Sequence, residues 1–252
     1  MTKRQTGFSL LFLINQVPFF MSFNKQKAES SKKSLQSADL RNAELQEADL
    51  SNGVLIDACL ENSDLSEADL CGADLSGASF LNARLHRTVL YRCRAKKTNF
   101  SNAILTQANL VEANCTSANF NNANLKESNI EGANLTYTCF TNANLTEVNL
   151  TGVFLANANL SGANLTNSEL IAADLVGCDF TKANLDNTYL NHADLCGANL
   201  KSAINLNRDQ VETAFINKKT LLPDSIPILW ISAVSYTHLR AHETRHDLVC
   251  RL

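Results

Sequence analysis

Ala118-Asn119-Phe120-Asn121-Asn122-Ala123-Asn124-Leu125 is a fragment of a rhythm that runs without interruption from Gln36 to Leu200. Cut so that each block ends at a residue number divisible by five, this span gives 33 consecutive blocks of five residues. The last place, position 5, is Leu in 25 blocks and Phe in five, and only Ala95, Cys115 and Ile130 depart from that. Position 3 is Ala in 21 blocks and otherwise Gly, Ser, Thr, Cys or Val; position 4 is Asn or Asp in 21. A period of five matches neither the roughly 3.6 of an α-helix nor the roughly 2 of a strand, and a helix would scatter the leucines around its circumference. The rhythm fits a coil that turns a corner every five residues, with Leu and Ala inward and the other three positions toward water.

The A-[ND]-L-x-x motif, as in Ala123-Asn124-Leu125, Ala163-Asn164-Leu165 and Ala193-Asp194-Leu195, resembles that of the pentapeptide-repeat family. The resemblance implies an all-β fold, a right-handed quadrilateral parallel β-helix with four repeats per coil. The residues carry an independent check of that coil. If 20 residues make one turn, Phe80, Phe100, Phe120, Phe140 and Phe180 all fall in one column as a structural core, their rings stacked along the axis. Ala95 and Cys115 fall together in another column, in adjacent coils, where small side chains make room for Phe100 and Phe120. Coils spaced like neighbouring strands, about 4.8 Å apart, give a rod roughly 40 Å long.

A rod of this kind exposes a hydrophobic cross-section at each end unless something covers it. At the C-terminal end a cap helix is expected from Arg208 to Ile216, with Asn207 as N-cap, Gln210 at the capping-box position, and Leu206 and Val211 as a staple. Val211, Ala214 and Phe215 would face the last coil. The expected organisation is an apolar then polar, poorly ordered leader over 1–35, the β-helix over 36–205, a cap helix and turn over 206–223, and a tail over 224–252. The apolar run Gly7 to Ile14 resembles a secretory signal, but Asn15, Gln16 and Pro18 interrupt it and no A-x-A site follows; a true start at Met21 is the competing reading. It is also too short to span a membrane. The stretch Val234 to Thr244, continuing to Leu252, resembles the translation of a sequencing adapter, so residues 234–252 are expected to be artefactual and His238, His242 and His246 to form no metal site.

Eight cysteines show no C-x-x-C pair and no regular ligand spacing, which argues against zinc and against a disulfide framework and fits reduced thiols in the cytoplasm. The net charge of −3 points to no nucleic-acid partner by itself. Arg84, Arg87, Arg92, Arg94, Lys96 and Lys97 form the one basic cluster, a candidate binding surface. Their corner positions make it a girdle around one coil, and Asp64, Glu67, Asp74 and Glu112, twenty residues away, are placed to pair with the arginines. No Ser/His/Asp, Cys/His or paired-carboxylate arrangement stands apart from the repeat, so no enzyme activity and no cofactor are expected. The leading reading is a non-catalytic scaffold whose flat faces bind a protein partner or another copy of the chain. The resemblance implies an alternative, because some pentapeptide-repeat proteins imitate duplex DNA and bind a type II topoisomerase. Ten carboxylates between Asp39 and Asp74, facing only Arg41, motivate that alternative.

Overall fold

The computed structural model describes residues 24–226. The apolar run near the start and the adapter-like stretch lie outside the described residues. From residue 38 to residue 204 the chain is a right-handed quadrilateral β-helix, and parallel bridges join residues 20 apart, from Asp39 with Cys59 to Asn184 with Ile204. Four columns of position-4 residues define its flat faces. Face A carries the column of Asp39, face B that of Glu44, face C that of Asp49 and face D that of Val54.

Residues 65–69 show why the chain turns every five residues. Leu65 N donates up to Arg84 O at 2.7 Å, Glu67 N to His86 O at 2.8 Å, and Asp69 N down to Ala48 O at 2.9 Å. Ala68 N closes the corner on Leu65 O at 3.0 Å. The remaining donor, Ser66 N, is taken by the Asp64 carboxylate at 2.9 Å. Every backbone N–H in the block is therefore satisfied. At each corner position 2 has a positive φ, for example 59° at Asn62 and 69° at Gly162, the conformation required at the third residue of a type II turn. This is where Asn and Gly are most readily tolerated.

Leu and Ala pack the interior with essentially no exposure. The rings of Phe80, Phe100, Phe120 and Phe140 stack at centroid distances of 5.1, 4.9 and 4.8 Å. Phe180 is equally buried, above Leu160, and Ala95 and Cys115 fill the core beside the stack. Where position 3 is Ser or Thr, the hydroxyl donates to a leucine carbonyl at every place but Ser128, as from Thr98 to Leu75 at 2.7 Å and from Thr138 to Leu135 at 2.6 Å.

Both ends differ from expectation. Residues 24–35 are not a poorly ordered leader. Helix α1 (Lys25–Ser30), capped by Asn24, leads into a 3-10 turn (Lys32–Ser34) that lies on the first coil. The ordering has a simple cause: the first coil has no predecessor to accept its position-4 N–H groups. Glu29 accepts from Asp49 N at 2.9 Å and Lys32 O from Val54 N at 2.7 Å. Ala28 and Leu35 are buried beneath. At the other end α2 spans only Arg208–Glu212, not to Ile216, although its capping box of Asn207 and Gln210 is formed. Helix growth loses to renewed pairing with the last coil, where Phe215 bridges Asp194 and Leu221 bridges Asn199, a register stretched to 21 and 22 residues. Val211 is buried as a cap residue should be, whereas Phe215 sits at a face position beside His192, 6.4 Å between ring centroids. Gln210 joins the two structures, its side chain accepting from Asn207 N and donating to Leu185 O and Thr188 O at 2.8 and 2.9 Å.

Candidate interaction surface

The surface is built from positions 1, 2 and 4, and position 4 does not simply face water. All 21 Asn and Asp residues there turn Oδ1 back onto the N–H two residues on. A Ser or Thr at the following position 1, Thr151 apart, adds its hydroxyl to the same oxygen, as Thr166 does with Asn164 at 2.7 Å. Asparagines also bond between coils: Asn144 Nδ2 reaches Asn124 Oδ1 at 3.1 Å, and Asn102 Nδ2 reaches Asn82 Oδ1 at 3.1 Å. Much of the polar surface is thus spent on the rod itself.

The six basic residues of the cluster follow one coil from face B to the corner beyond face D. Arg84 lies on face B, Arg94 on face D, and Arg87, Arg92, Lys96 and Lys97 on corners. All four arginines are paired to a neighbouring coil. Arg84 meets Asp64 at 3.4 Å, Arg87 meets Glu67 at 3.8 Å, Arg92 meets Glu112 at 2.6 Å and Arg94 meets Asp74 at 3.1 Å. Lys96 and Lys97 are exposed and make no ion pair among the described residues. The acidic first coils are neutralised in the same way. Of the ten carboxylates, Asp39, Glu47, Asp49, Asp64, Glu67 and Asp74 are in ion pairs, two of them with Lys25 and Lys32 of the N-terminal cap. Lys32 and Ser51 hold the Asp49 carboxyl at about 2, well below its usual range.

Burial pushes the Cys178 and Cys196 thiols up to about 12, and Cys93, hydrogen-bonded to Cys115 in the core, is raised as well, so these cysteines stay protonated. Among the described residues no group of His, Cys, Asp and Glu could hold a metal, and no helix is long and apolar enough to cross a membrane.

What sequence reasoning missed is apolar. Phe154 on face D is 52% exposed and Tyr137, on the adjoining corner one coil below, is 62% exposed. Ala156, Ile171 and Val176 lie around Phe154, half-buried, and Gly152 leaves open space beside it. Read along the chain, Phe154 and Tyr137 are ordinary members of variable positions. Only a reading down the columns, twenty residues at a time, brings them together.

No curated protein matches the sequence. Among solved structures, two trypsin-treated forms of QnrB1, a plasmid-mediated fluoroquinolone resistance protein, are similar in fold at 18% identity. They have TM-scores of 0.60 and 0.62 and cover 68% of this chain and 85% and 86% of theirs. HetL, a pentapeptide repeat protein involved in heterocyst differentiation regulation from the cyanobacterium Nostoc sp. strain PCC 7120, is 27% identical over 79% of this chain and 95% of its own, with a TM-score of 0.32. The family described as Pentapeptide repeats matches in eight copies, at residues 34–70, 68–107, 108–146, 143–181 and 178–207. With the repeat, the four-sided coil and this match agreeing over the same residues, the chain belongs to the pentapeptide-repeat family.

Proposed function

We propose that the protein is a non-catalytic scaffold that presents face D of its rod to a protein partner. The observation that carries this reading is the exposure of Phe154 and Tyr137 on a surface whose asparagines, threonines and charges are otherwise largely engaged within the rod. Large exposed aromatics with apolar neighbours are characteristic of protein-binding patches. The filled interior and the protonated thiols give a reacting substrate neither a cavity nor a nucleophile. Free cysteines, three of the seven described ones buried, suit the cytoplasm. The alternative, a duplex-DNA mimic acting on a type II topoisomerase, shares a fold with QnrB1, but the pairing of six of the ten N-terminal carboxylates works against it.

The test compares proteins captured from the source cells by the wild-type chain and by Phe154→Asp. A partner held by the first and lost by the second supports the reading, and a partner held equally by both removes face D from it. A supercoiling assay with purified type II topoisomerase should show no effect; protection or inhibition would favour the mimic.

A further inference from the structure

Above Val54 and Asp74, face D carries Arg94, Asn114, Asn134, Phe154, Asp174, Asp194 and Phe215, consecutive members of one ladder of bridges. Phe154 is the middle of the seven. Reversing the column sets Phe154 on Phe154, Asn134 on Asp174, Asn114 on Asp194 and Arg94 on Phe215. Each pair is complementary: ring on ring, amide donor on carboxylate, guanidinium on an aromatic face. We infer that face D binds a second copy of this chain, antiparallel, about a two-fold axis that lies in the interface, perpendicular to the rods, at the height of Phe154. The inference rests on the reading of face D as an interaction surface and names its occupant.

Two further observations agree with this arrangement. Such an axis leaves each corner beside its own counterpart, reversed in height. Tyr137, 0.85 of a coil below Phe154 by its number, then faces the region of Val176, and Ala156 lies close to its own copy, so the apolar neighbours of Phe154 also meet one another. Among the described residues the Nδ2 groups of Asn114 and Asn134 donate to no partner, and Asp174 uses one oxygen on Val176 N and makes no ion pair, which leaves the Asn134 to Asp174 contact available in both directions. Tyr137 also holds a φ of 61°, a conformation unfavourable for a bulky residue, with a mostly exposed ring. Face D is the face on which such a reversal centres on an exposed aromatic ring and also pairs an amide with a carboxylate. Reversing face C about Asn129 sets Val89 against Glu169.

The paired column is about 29 Å long, six steps of roughly 4.8 Å, and only one face wide. That places the contact at the small end of specific interfaces, with an expected Kd on the order of 10 μM. Sedimentation velocity of the full chain across this range should show a concentration-dependent dimer. Phe154→Asp sets two carboxylates against each other on the axis and should weaken the dimer at least ~10-fold, while the circular-dichroism melt stays unchanged because the side chain is outside the core. Asn134→Asp should weaken it too, by opposing Asp174. Adding Asp174→Asn to Asn134→Asp restores an amide opposite a carboxylate and should recover the wild-type Kd. A chain that stays monomeric, a dimer indifferent to Phe154→Asp, or a charge swap that fails to recover association would each overturn the proposal. A monomeric wild type that still captured a different protein through Phe154 would leave the scaffold reading standing.

Discussion

At the scale of single residues, the repeat is a solution to hydrogen bonding as much as to packing. Leu at position 5 and Ala at position 3 are legible from sequence because burial selects size, and size is visible in a letter. The Asn and Asp preference at position 4 is visible too, but its cause is not, since a polar residue on a solenoid surface reads as solvation until the Oδ1 contact with the N–H two residues on is seen. Replacing one of these residues leaves that N–H half-buried and unsatisfied. Asn109→Ala, which orphans Val111 N, should therefore lower the unfolding free energy by about 1 kcal/mol in a urea titration. Ser128 offers the opposite case. It is buried, and its hydroxyl has no partner among the described residues, unlike the equivalent Ser63, Thr98 and Thr138. Ser128→Ala removes an uncompensated polar group and should stabilise by about 1 kcal/mol, whereas Thr138→Ala should destabilise; equal and opposite behaviour is the signature to look for.

At the scale of elements, the two caps show where sequence reasoning succeeds and where it stops. The capping box of α2 was legible because Asn207 and Gln210 stand at a spacing that has one local meaning, while the early stop at Glu212 was not, because competition from the last coil is a tertiary effect. The N-terminal cap had only a slight local signal, Asn24 as an N-cap before a six-residue polar helix. Its polar residues are ordered by what the first coil lacks. Gly53 makes room for it: a Cβ there would stand 2.7 Å from Leu50 O, 2.9 Å from a Leu55 methyl and 3.2 Å from Lys32 O, the carbonyl that accepts from Val54 N. Gly53→Ala should displace the 3-10 turn and destabilise by about 1 to 3 kcal/mol, with faster proteolysis after Lys27 or Lys32 as the local readout. The cap is also acid-sensitive. Asp49, bonded to Lys32 at 2.8 Å, titrates in the folded chain at about 2, below its ordinary 3.8. A depressed carboxylate contributes stability that is full above the ordinary value and fades as pH falls toward the folded one. Between pH 4 and pH 2 the wild type should thus lose more of its urea midpoint than Asp49→Asn; parallel losses in the two proteins would show that the pair contributes nothing.

At the scale of the whole molecule, each coil touches only its neighbours, so surface features acquire meaning by column and not by order along the chain. That is why the five-residue period exposed the fold and left the apolar patch of face D unseen, and why the basic cluster, conspicuous as a run of letters, is in space a set of inter-coil ties. The ties imply a distinct outcome for the Arg84→Gln, Arg87→Gln, Arg92→Gln, Arg94→Gln protein. Exposed pairs are screened by salt, so its melting temperature should fall below that of the wild type in dilute buffer and approach it at about 1 M salt. A nucleic-acid site would behave differently. A duplex follows a stripe along a rod, and a girdle whose arginines already face carboxylates has few charges left to release counterions. Retention of the wild type on immobilised duplex DNA at low salt should accordingly be slight and unchanged in the variant. Strong retention that disappears with the four arginines would show that the carboxylates yield to phosphate and that the girdle is a binding site after all.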